Sequence, residues 1–288
     1  MNLSGNPINI CAGIVLFNPE INRLKDNIYS IIKQVPLLVL IDNKSDNIDQ
    51  VKDLIKNIKN IILIENCENK GIAQALNVIL EVSYKQGYDW VLTLDQDSVA
   101  DKHLVEKYKE FIIKHNEISN AACLTCDIID RNFSSNISHK YFDYVDYCIT
   151  SGSLMNITYT LEVGGFDEIL FIDKVDTDIC MNLTSKGYKI VKIGYKGLLH
   201  EIGHARQINI LFRKWELYNH APFRRYYMCR NASYLLKKYH NKKSLKIFLK
   251  EIFQFILVFI FENKRIEKFL KGITGFIDGF RIREDYFR

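Results

Sequence analysis

Hydrophobic and polar positions in the first third of the chain alternate between two periods. Short apolar runs cover residues 11–17, 37–41, 61–64 and 90–94, and the segments between them carry apolar residues at the spacing of an amphipathic helix. Strands that alternate with helices in this order favour a parallel sheet with helices on both faces. We therefore predict an α/β fold built on a Rossmann-like, mainly parallel sheet.

The rest of the chain is less regular and ends in helices. Residues 121–193 mix short strands with a helix near Val175–Lys186, and a helical, aromatic-rich pattern follows. The change of pattern near Ile202–Gln207 predicts an α/β domain over 1–205 and a helical C-terminal region over 206–288.

The composition is that of an ordinary globular protein. The 288 residues are 48% hydrophobic and 25% charged, which suffices for a large core. Seven cysteines lie mostly in apolar runs, which favours reduced, buried thiols in a cytosolic protein. The N-terminus lacks the pattern of a secretory signal, and the longest apolar run, Phe253–Phe261, is shorter than the roughly 20 residues that a spanning helix needs.

The formal net charge of +5 is concentrated after Arg206. Basic residues there alternate with long apolar stretches, a pattern that favours a lipid surface over nucleic acid as the partner. Lys242 and Lys243 precede the apolar segment Ile247–Phe261, so one hypothesis is that amphipathic helices lie on the inner face of the membrane. The alternative is that these helices pack on the domain itself or on a second subunit of a homodimer.

Two carboxylates at the end of the fourth apolar run form the strongest chemical signal. Asp95 and Asp97 are separated by one residue, at the sheet edge where α/β proteins bind ligands. Two close carboxylates repel each other, and a hard cation such as Mg²⁺ or Mn²⁺ relieves this repulsion and bridges to substrate phosphates. The alternative is that both residues are loop caps.

Polar residues also follow the other strands. Asn18 comes after the first strand, and Asp42 and Asn43 come after the second. Asp42 is suited to accept hydrogen bonds from a base or a ribose, or to close an Asx turn. Lys70 and Gly71 precede a helix whose N-terminus favours a phosphate or hydroxyl group.

A second acidic cluster opens the helix near residue 175. Asp176 and Asp178 lie in its first turn, where carboxylates also gain from the helix dipole. We interpret Asp176 as a base for an attacking hydroxyl and Asp178 as a residue that holds a loop or the acceptor. His200 begins HEIGH, the spacing of a metalloprotease motif, but the surrounding glycines disfavour the helix that such a site needs. His200 is therefore a further metal ligand or a structural residue.

Eight short motifs together resemble the family 2 glycosyltransferases, and within them the bacterial rhamnosyltransferase-like branch, over about residues 10–240. In chain order they read GIVLFNP, IDNKSDN, NKGIAQALN, LTLDQDS, SGSLMN, GGFDEILFIDKVDTDICMNL, LLHEIG and RRYYMCRN. The resemblance implies a GT-A fold, in which a nucleotide-binding sheet is merged with an acceptor-binding half. Residues 1–205 would then form the catalytic domain that binds the nucleotide sugar and the acceptor.

The resemblance also implies roles on the donor side. Asp42 resembles the acid that contacts a pyrimidine base, and Asp95 and Asp97 resemble the motif that contacts ribose and metal. His200 matches a histidine that helps to bind the diphosphate.

Further roles are implied for the acceptor side and the basic motif. Asp176 stands at the place of the catalytic base, although the usual Glu-Asp pair reads Val175-Asp176 here. The missing carboxylate leaves contacts with the acceptor open. Arg224, Arg225 and Arg230 match a basic stretch, with phosphate contact and structural pairing as the two alternatives.

The implied reaction is an inverting transfer in cell-surface polysaccharide synthesis. Asp176 would deprotonate a hydroxyl of a glycan or lipid-linked acceptor, which then displaces the diphosphate from dTDP-L-rhamnose. A UDP-sugar-dependent hexosyl or galactofuranosyl transferase is the alternative. Two other classes stay open, namely a haloacid-dehalogenase-type phosphatase with Asp95 as nucleophile and a non-catalytic module that binds glycan or membrane.

Overall fold

The computed structural model describes residues 8–115, 117–130, 140–200, 206–210 and 213–283, without the side chains of residues 130, 206–210 and 213–216. The strands are β1 (Ile10–Leu16), β2 (Leu38–Asp42), β3 (Ile61–Glu65), β4 (Trp90–Asp95), β5 (Val99–Ala100), β6 (Ala121–Asp130), β7 (Phe142–Tyr144), β8 (Ser153–Asn156), β9 (Lys189–His200), β10 (Arg206–Ile210) and β11 (Arg213–Leu217). The helices are α1 (Ile21–Ile31), α2 (Ile48–Ile55), α3 (Ile72–Lys85), α4 (Leu104–Lys114), α5 (Ile157–Glu162), α6 (Val175–Ser185), α7 (Pro222–Tyr239), α8 (Lys242–Phe261) and α9 (Arg265–Arg281).

The chain forms two compact units. The first comprises Met1–Glu168 and Ile179–Glu201, and the second comprises Ile169–Asp178 and Ile202–Arg288. The first turn of α6 therefore belongs to the second unit. The predicted division into 1–205 and 206–288 stays a prediction.

Nine of the described strands form a mixed sheet at the centre of the first unit. Its order is β3-β2-β1-β4-β8-β6-β9-β5, and β7 pairs with β9. The first four strands in this order are parallel, whereas β8 runs antiparallel to both β4 and β6. The predicted α/β fold with strands at the four apolar runs is confirmed.

Helices cover both faces of this sheet. Successive residues of β1 point to opposite faces, and because nearly all of them are apolar and buried, both faces need a cover. The even-numbered residues of Ile10–Leu16 join a core cluster with residues of α1, α2 and α4. Gly13 faces α3 instead, where a Cβ atom would lie 2.3 Å from Ile79. On the same face, the Cys11 thiol donates a hydrogen bond to Ser83 of α3 at 3.1 Å.

All seven cysteines are free thiols. The predicted burial is confirmed for most of them, but Cys67 is exposed. Burial raises the pKa of Cys126 to about 11, so this thiol stays protonated at neutral pH.

The second unit contains the C-terminal helices, as expected from the sequence. The segment before these helices differs from the expected helical pattern, because β10 and β11 form an antiparallel pair there. Residues 207–210 alternate polar and apolar side chains, which is the period of a strand rather than of a helix. Pro222 then occupies the first turn of α7, where its missing N–H costs nothing. Within the described ranges, no helix has the length and apolar character needed to cross a membrane.

Candidate active site

Parallel strand pairing brings two of the predicted segments to one edge of the first unit's sheet. Strand β1 lies between β2 and β4, and near its end Leu16 is level with Asp42 while Val15 is level with Asp95. Both carboxylates therefore stand at the carboxyl ends of strands on either side of β1, where ligands bind in folds of this class.

Asp95, Asp97 and His200 come together as a candidate metal centre. Each offers one ligand atom, and these atoms all lie within 4.8 Å of one another. His200 Nε2 is 4.0 Å from Asp95 Oδ2. Two carboxylates and one imidazole form a donor set that suits Mn²⁺, and Mg²⁺ when water completes the octahedron. The geometry thus supports the predicted ligand set.

Short strand β5 explains how His200 reaches a motif one hundred residues earlier in the chain. Val99 pairs with Leu199 in an antiparallel ladder, which sets the end of β9 beside the Asp95–Asp97 loop.

Two serines connect His200 to the backbone of Asp95. The Ser98 hydroxyl lies 2.8 Å from His200 Nδ1 and 2.8 Å from Ser151 Oγ. The backbone N–H of Asp95 donates to the same Ser151 oxygen at 2.9 Å. Because Ser98 occupies Nδ1, the other ring nitrogen is the one on the Asp95 side. The sequence offered no signal for these roles beyond the motifs LTLDQDS and SGSLMN, because a hydroxyl has no characteristic spacing.

Gln96, between the two carboxylates, ties their loop to the end of β1. Its Oε1 accepts from the Phe17 N–H at 2.8 Å, and its Nε2 donates to the Phe17 carbonyl at 3.2 Å. Asn27 of α1 also donates to the Asp95 carbonyl. The loop is therefore fixed from both sides.

Asp42 is buried, and its two oxygens have different environments. Oδ2 accepts from the Ser45 N–H at 2.9 Å, three residues further on, so this oxygen closes the turn after β2. Oδ1 is buried without a hydrogen-bond partner among the described residues. A buried acceptor without a partner is costly, so a ligand N–H that reaches Oδ1 would remove this cost.

Asn18 and Asn43 hold neighbouring loops together. The Asn18 N–H donates to Ser45 Oγ at 2.8 Å, and Asn18 Oδ1 accepts from the Asp46 N–H at 2.7 Å. Asn43 Nδ2 donates to the Gly71 carbonyl at 3.1 Å. These contacts link the end of β2 to the start of α3.

Gly71 precedes α3 with a φ of 84°, a backbone conformation that glycine adopts without strain. Lys70 beside it is exposed. Nucleotide-sugar binding by Asn18, Asn43, Lys70 and Gly71 stays a prediction.

Asp176 lies in the first turn of α6, in the second unit, and is partly buried. Asn231 of α7 fixes the segment before it, because its Nδ2 donates to the Ile172 and Asp173 carbonyls, both at 2.8 Å. Asp173 and Lys174 have φ values of 65° and 63°, an uncommon conformation for residues with side chains. The hydrogen bonds of Asn231 hold this turn in place.

The predicted arginines all contact groups of the second unit. Arg224 forms a bidentate ion pair with Asp173, with Nη2 3.0 Å from Oδ1. Arg225 is buried and pairs with Glu251 at 3.0 Å. Arg230 donates to the backbone carbonyl of Ile169. These contacts favour the structural alternative for the basic motif, and phosphate contact stays a prediction.

Asp178 is buried one turn after Val175. Its Oδ1 lies 2.9 Å from Lys238 Nζ and accepts from the Tyr239 hydroxyl at 2.9 Å. These bonds join α6 to the end of α7. The role expected for Asp178, to hold a loop or the acceptor, stays a prediction. The remaining residues of HEIGH, 201–204, lie outside the described residues.

Known proteins similar to this chain include enzymes that use nucleotide sugars. The sequence model described as Glycosyl transferase family 2 matches residues 11–166. A protein named dTDP-rhamnosyl transferase RfbF, from Shigella flexneri, is 30% identical over 95% of this chain and 96% of its own length.

Solved structures share the fold at low sequence identity. S. aureus TarS, residues 1–349, superposes with a TM-score of 0.62 at 16% identity over 94% of this chain and 80% of that one. GalNAc-T7 with UDP, GalNAc and Mn²⁺ superposes with a TM-score of 0.62 at 14% identity over 83% of this chain and 49% of that one. The GT-A fold implied by the sequence is confirmed, and the chain belongs to glycosyl transferase family 2, within which it is rhamnosyltransferase-like.

Proposed function

We propose that this protein transfers L-rhamnose from dTDP-L-rhamnose to a hydroxyl of a glycan acceptor, with inversion, in cell-surface polysaccharide synthesis. The observation that carries the proposal is the similarity to the dTDP-rhamnosyl transferase over nearly the full length of both chains. A UDP-sugar donor is the second candidate, because the similar protein S. aureus TarS has been solved in complex with UDP and with UDP-GlcNAc. Because the chain belongs to glycosyl transferase family 2, we no longer interpret Asp95 as the nucleophile of a phosphatase.

The pyrimidine base is proposed to bind at Asp42. Its Oδ1 is the buried oxygen without a described partner, and the ring N–H of thymine or uracil is a donor that fits it. Asp95 lies two strands away from Asp42, with β1 between them, and the ribose and diphosphate are proposed to bind on the Asp95 side.

Asp95, Asp97 and His200 are proposed to hold Mg²⁺ or Mn²⁺. The cation, when bound, supplies a Lewis acid that takes up the charge developing on the leaving diphosphate. The Ser98 hydroxyl, 2.8 Å from His200 Nδ1, would hold the imidazole with its other nitrogen toward Asp95.

Asp176 is proposed as the general base that takes the proton of the acceptor hydroxyl. Its position in the first turn of α6 is supported by the hydrogen bonds of Asn231, which keep the preceding turn in one conformation. A fixed base is required because proton transfer must accompany formation of the new glycosidic bond.

The acceptor is proposed to be lipid-linked, and the protein to work in the cytoplasm, on the inner face of the membrane. The basic and apolar composition of the C-terminal region supports this setting. A homodimer is the alternative use of that region.

Calorimetry with dTDP-rhamnose, UDP-galactose and UDP-glucose, each with Mn²⁺ and with EDTA, tests the donor. We expect metal-dependent binding of dTDP-rhamnose and much weaker binding of the UDP-sugars. Preferential binding of a UDP-sugar would move the proposal to the second candidate. If the folded protein bound no donor, the non-catalytic alternative would take its place.

Two neighbouring aspartates test the base. Asp176→Asn should lower kcat by about 10²–10⁴-fold and leave donor binding unchanged, because only proton transfer is lost. Asp178→Asn is the matched control in the same helix. It should reduce stability, since Lys238 loses a buried partner, but preserve more of kcat. Equal losses of kcat in the two variants would contradict the assignment.

A further inference from the structure

Helix α9 packs against α7 and α8 with a side that carries three glycines. A Cβ atom on Gly275 would lie 2.3 Å from the Tyr226 carbonyl oxygen of α7, and one on Gly279 would lie 2.2 Å from the Arg230 carbonyl oxygen. A Cβ atom on Gly272 would lie 2.3 Å from the ring of Phe255 in α8. The glycines therefore form the buried side of α9.

The apolar side of α9 points to solvent instead. Its exposed residues recur at intervals of three and four, so they lie in one arc roughly 100° wide. They are Ile266, Phe269, Leu270, Ile273, Ile277 and Phe280, with exposed fractions between 37% and 69%. An amphipathic helix of a water-soluble domain normally buries this side, so α9 has the opposite orientation.

Helix α8 extends the same surface. Five of its six exposed large apolar residues also share one side of the helix, and Phe261 at its end lies off that side. The five are Leu245, Leu249, Ile256, Phe259 and Ile260. The rings of Phe259 and Phe269 lie 4.9 Å apart and both are partly exposed, so the two apolar arcs meet. We call these eleven residues the α8–α9 apolar face. Scattered exposed apolar residues are normal, but a contiguous set of this size marks an interaction surface.

Positive charge borders the α8–α9 apolar face. Lys246 and Lys250 follow Leu245 and Leu249 directly and lie beside them on the helix. In the range 242–283, nine basic residues are exposed, namely Lys242, Lys243, Lys246, Lys250, Lys264, Arg265, Lys271, Arg281 and Arg283. Glu267 is the one exposed acid of that range.

The other acids of this range are paired within the unit. Glu251 is buried with Arg225, and Glu262 is buried with Lys268 at 2.7 Å. Half-buried Asp278 accepts from the Tyr226 hydroxyl at 3.1 Å. The charge presented beside the apolar face is therefore strongly positive.

We propose that the α8–α9 apolar face docks on an anionic lipid bilayer. The apolar side chains enter the boundary between headgroups and acyl chains, and the bordering lysines and arginines contact lipid phosphates. A second copy of the chain fits this surface less well, because two such faces would bring their positive borders together. The inference depends on the surface of the second unit alone, so it can fail while sugar transfer succeeds, and the reverse.

Flotation of the full-length protein with vesicles tests the proposal. Vesicles of phosphatidylcholine alone are compared with vesicles that contain about one third phosphatidylglycerol. We expect flotation with the anionic vesicles and a decrease as salt is raised. The triple variant Ile266→Ser, Leu270→Ser, Ile277→Ser should lower the partition coefficient at least about tenfold, because these exposed side chains contribute only when inserted.

A control variant and a charge variant separate the apolar and the electrostatic contributions to vesicle binding. Ile113→Ser removes an equally exposed apolar residue of α4 and should leave flotation unchanged. Lys246→Gln, Lys250→Gln, Arg265→Gln should reduce binding to anionic vesicles about tenfold or more and weaken its salt dependence. Circular dichroism and melting curves confirm that each variant is folded.

Two results would overturn the proposal. One is wild-type protein that stays at the bottom of the gradient with every vesicle composition. The other is a dimer in light scattering that the apolar triple variant converts to a monomer while lipid binding is unaffected. The second result would assign the face to another copy of this chain.

Discussion

The hydroxyl of Ser98 is buried between the imidazole of His200 and the hydroxyl of Ser151. It lies 2.8 Å from His200 Nδ1, on the ring edge opposite the nitrogen nearer to Asp95. A hydrogen bond of this kind fixes both the tautomer and the ring orientation of a metal-binding histidine. This geometry predicts that Ser98 positions the imidazole of His200.

Replacing this hydroxyl should weaken cation binding. Ser98→Ala is expected to raise the Mn²⁺ dissociation constant about tenfold, since the imidazole loses its orienting partner. Calorimetric or electron paramagnetic resonance titration of Mn²⁺ measures this directly, without turnover. Ser185→Ala is the control, because the Ser185 hydroxyl donates to the Asn182 carbonyl of its own helix, away from the three candidate metal ligands. Equal Mn²⁺ affinity of wild type and Ser98→Ala would contradict the role.

His220 gives the second unit a predicted pH dependence. Burial, and then the charges of Arg224 and Arg225, lower its pKa from 6.5 to about 4. The unfolded chain thus binds this proton more readily than the folded one. The stabilising contribution is complete above pH 6.5 and is lost as the pH falls toward 4.

Urea unfolding at several pH values measures this contribution. Because His220 is only partly buried, we expect the loss to be on the order of 1–2 kcal/mol. His220→Gln has no proton to bind, so its stability should fall less between pH 7 and pH 4.5. Parallel pH curves for the two proteins would argue against the assignment.

At the scale of elements, α7 and α9 approach closely because glycine forms the contact. The Cβ atom of an alanine at 275 would meet the backbone of α7 at two atoms, the Tyr226 carbonyl oxygen at 2.3 Å and the Arg230 nitrogen at 3.1 Å. Backbone atoms inside a helix have little room to move away.

Gly275→Ala should therefore reduce stability by about 1–3 kcal/mol through overpacking, although alanine favours helix by about 1 kcal/mol. Denaturant unfolding checks this value. Thr274→Ala, at the exposed neighbouring position, should change stability by less than about 0.5 kcal/mol. An unchanged or higher stability of Gly275→Ala would show that α9 can shift away from α7.

At the scale of the whole molecule, the residues proposed to bind the nucleotide and metal and the helices proposed to bind lipid belong to different compact units. Asp42, Asp95, Asp97 and His200 lie in the first unit, whereas α8 and α9 lie in the second. Hydrogen exchange with mass spectrometry should therefore separate the two binding events. Mn²⁺ with dTDP should protect the ends of β1, β2 and β4, and anionic vesicles should protect α8 and α9. Protection of α8 and α9 by Mn²⁺ with dTDP alone would contradict this division.

Local periodicity determined much of this protein. The strand and helix order to residue 95 is legible because each element repeats its own apolar period within a few residues. The same order placed Asp42 and Asp95 at strand ends, and the motifs indicated the family before any coordinates. The hairpin of β10 and β11 was missed, although its residues alternate as a strand does.

Tertiary structure decided what depends on contacts between distant segments. The antiparallel insertion of β8 beside β4, and the pairing of β5 with β9 that carries His200 to Asp95, involve residues about 60 and 100 positions apart. The same holds for Ser98 and Ser151, and for the side of α9 that packs inward. A helix pattern identifies an apolar side, but only the packed neighbours determine whether glycines or apolar side chains face the protein.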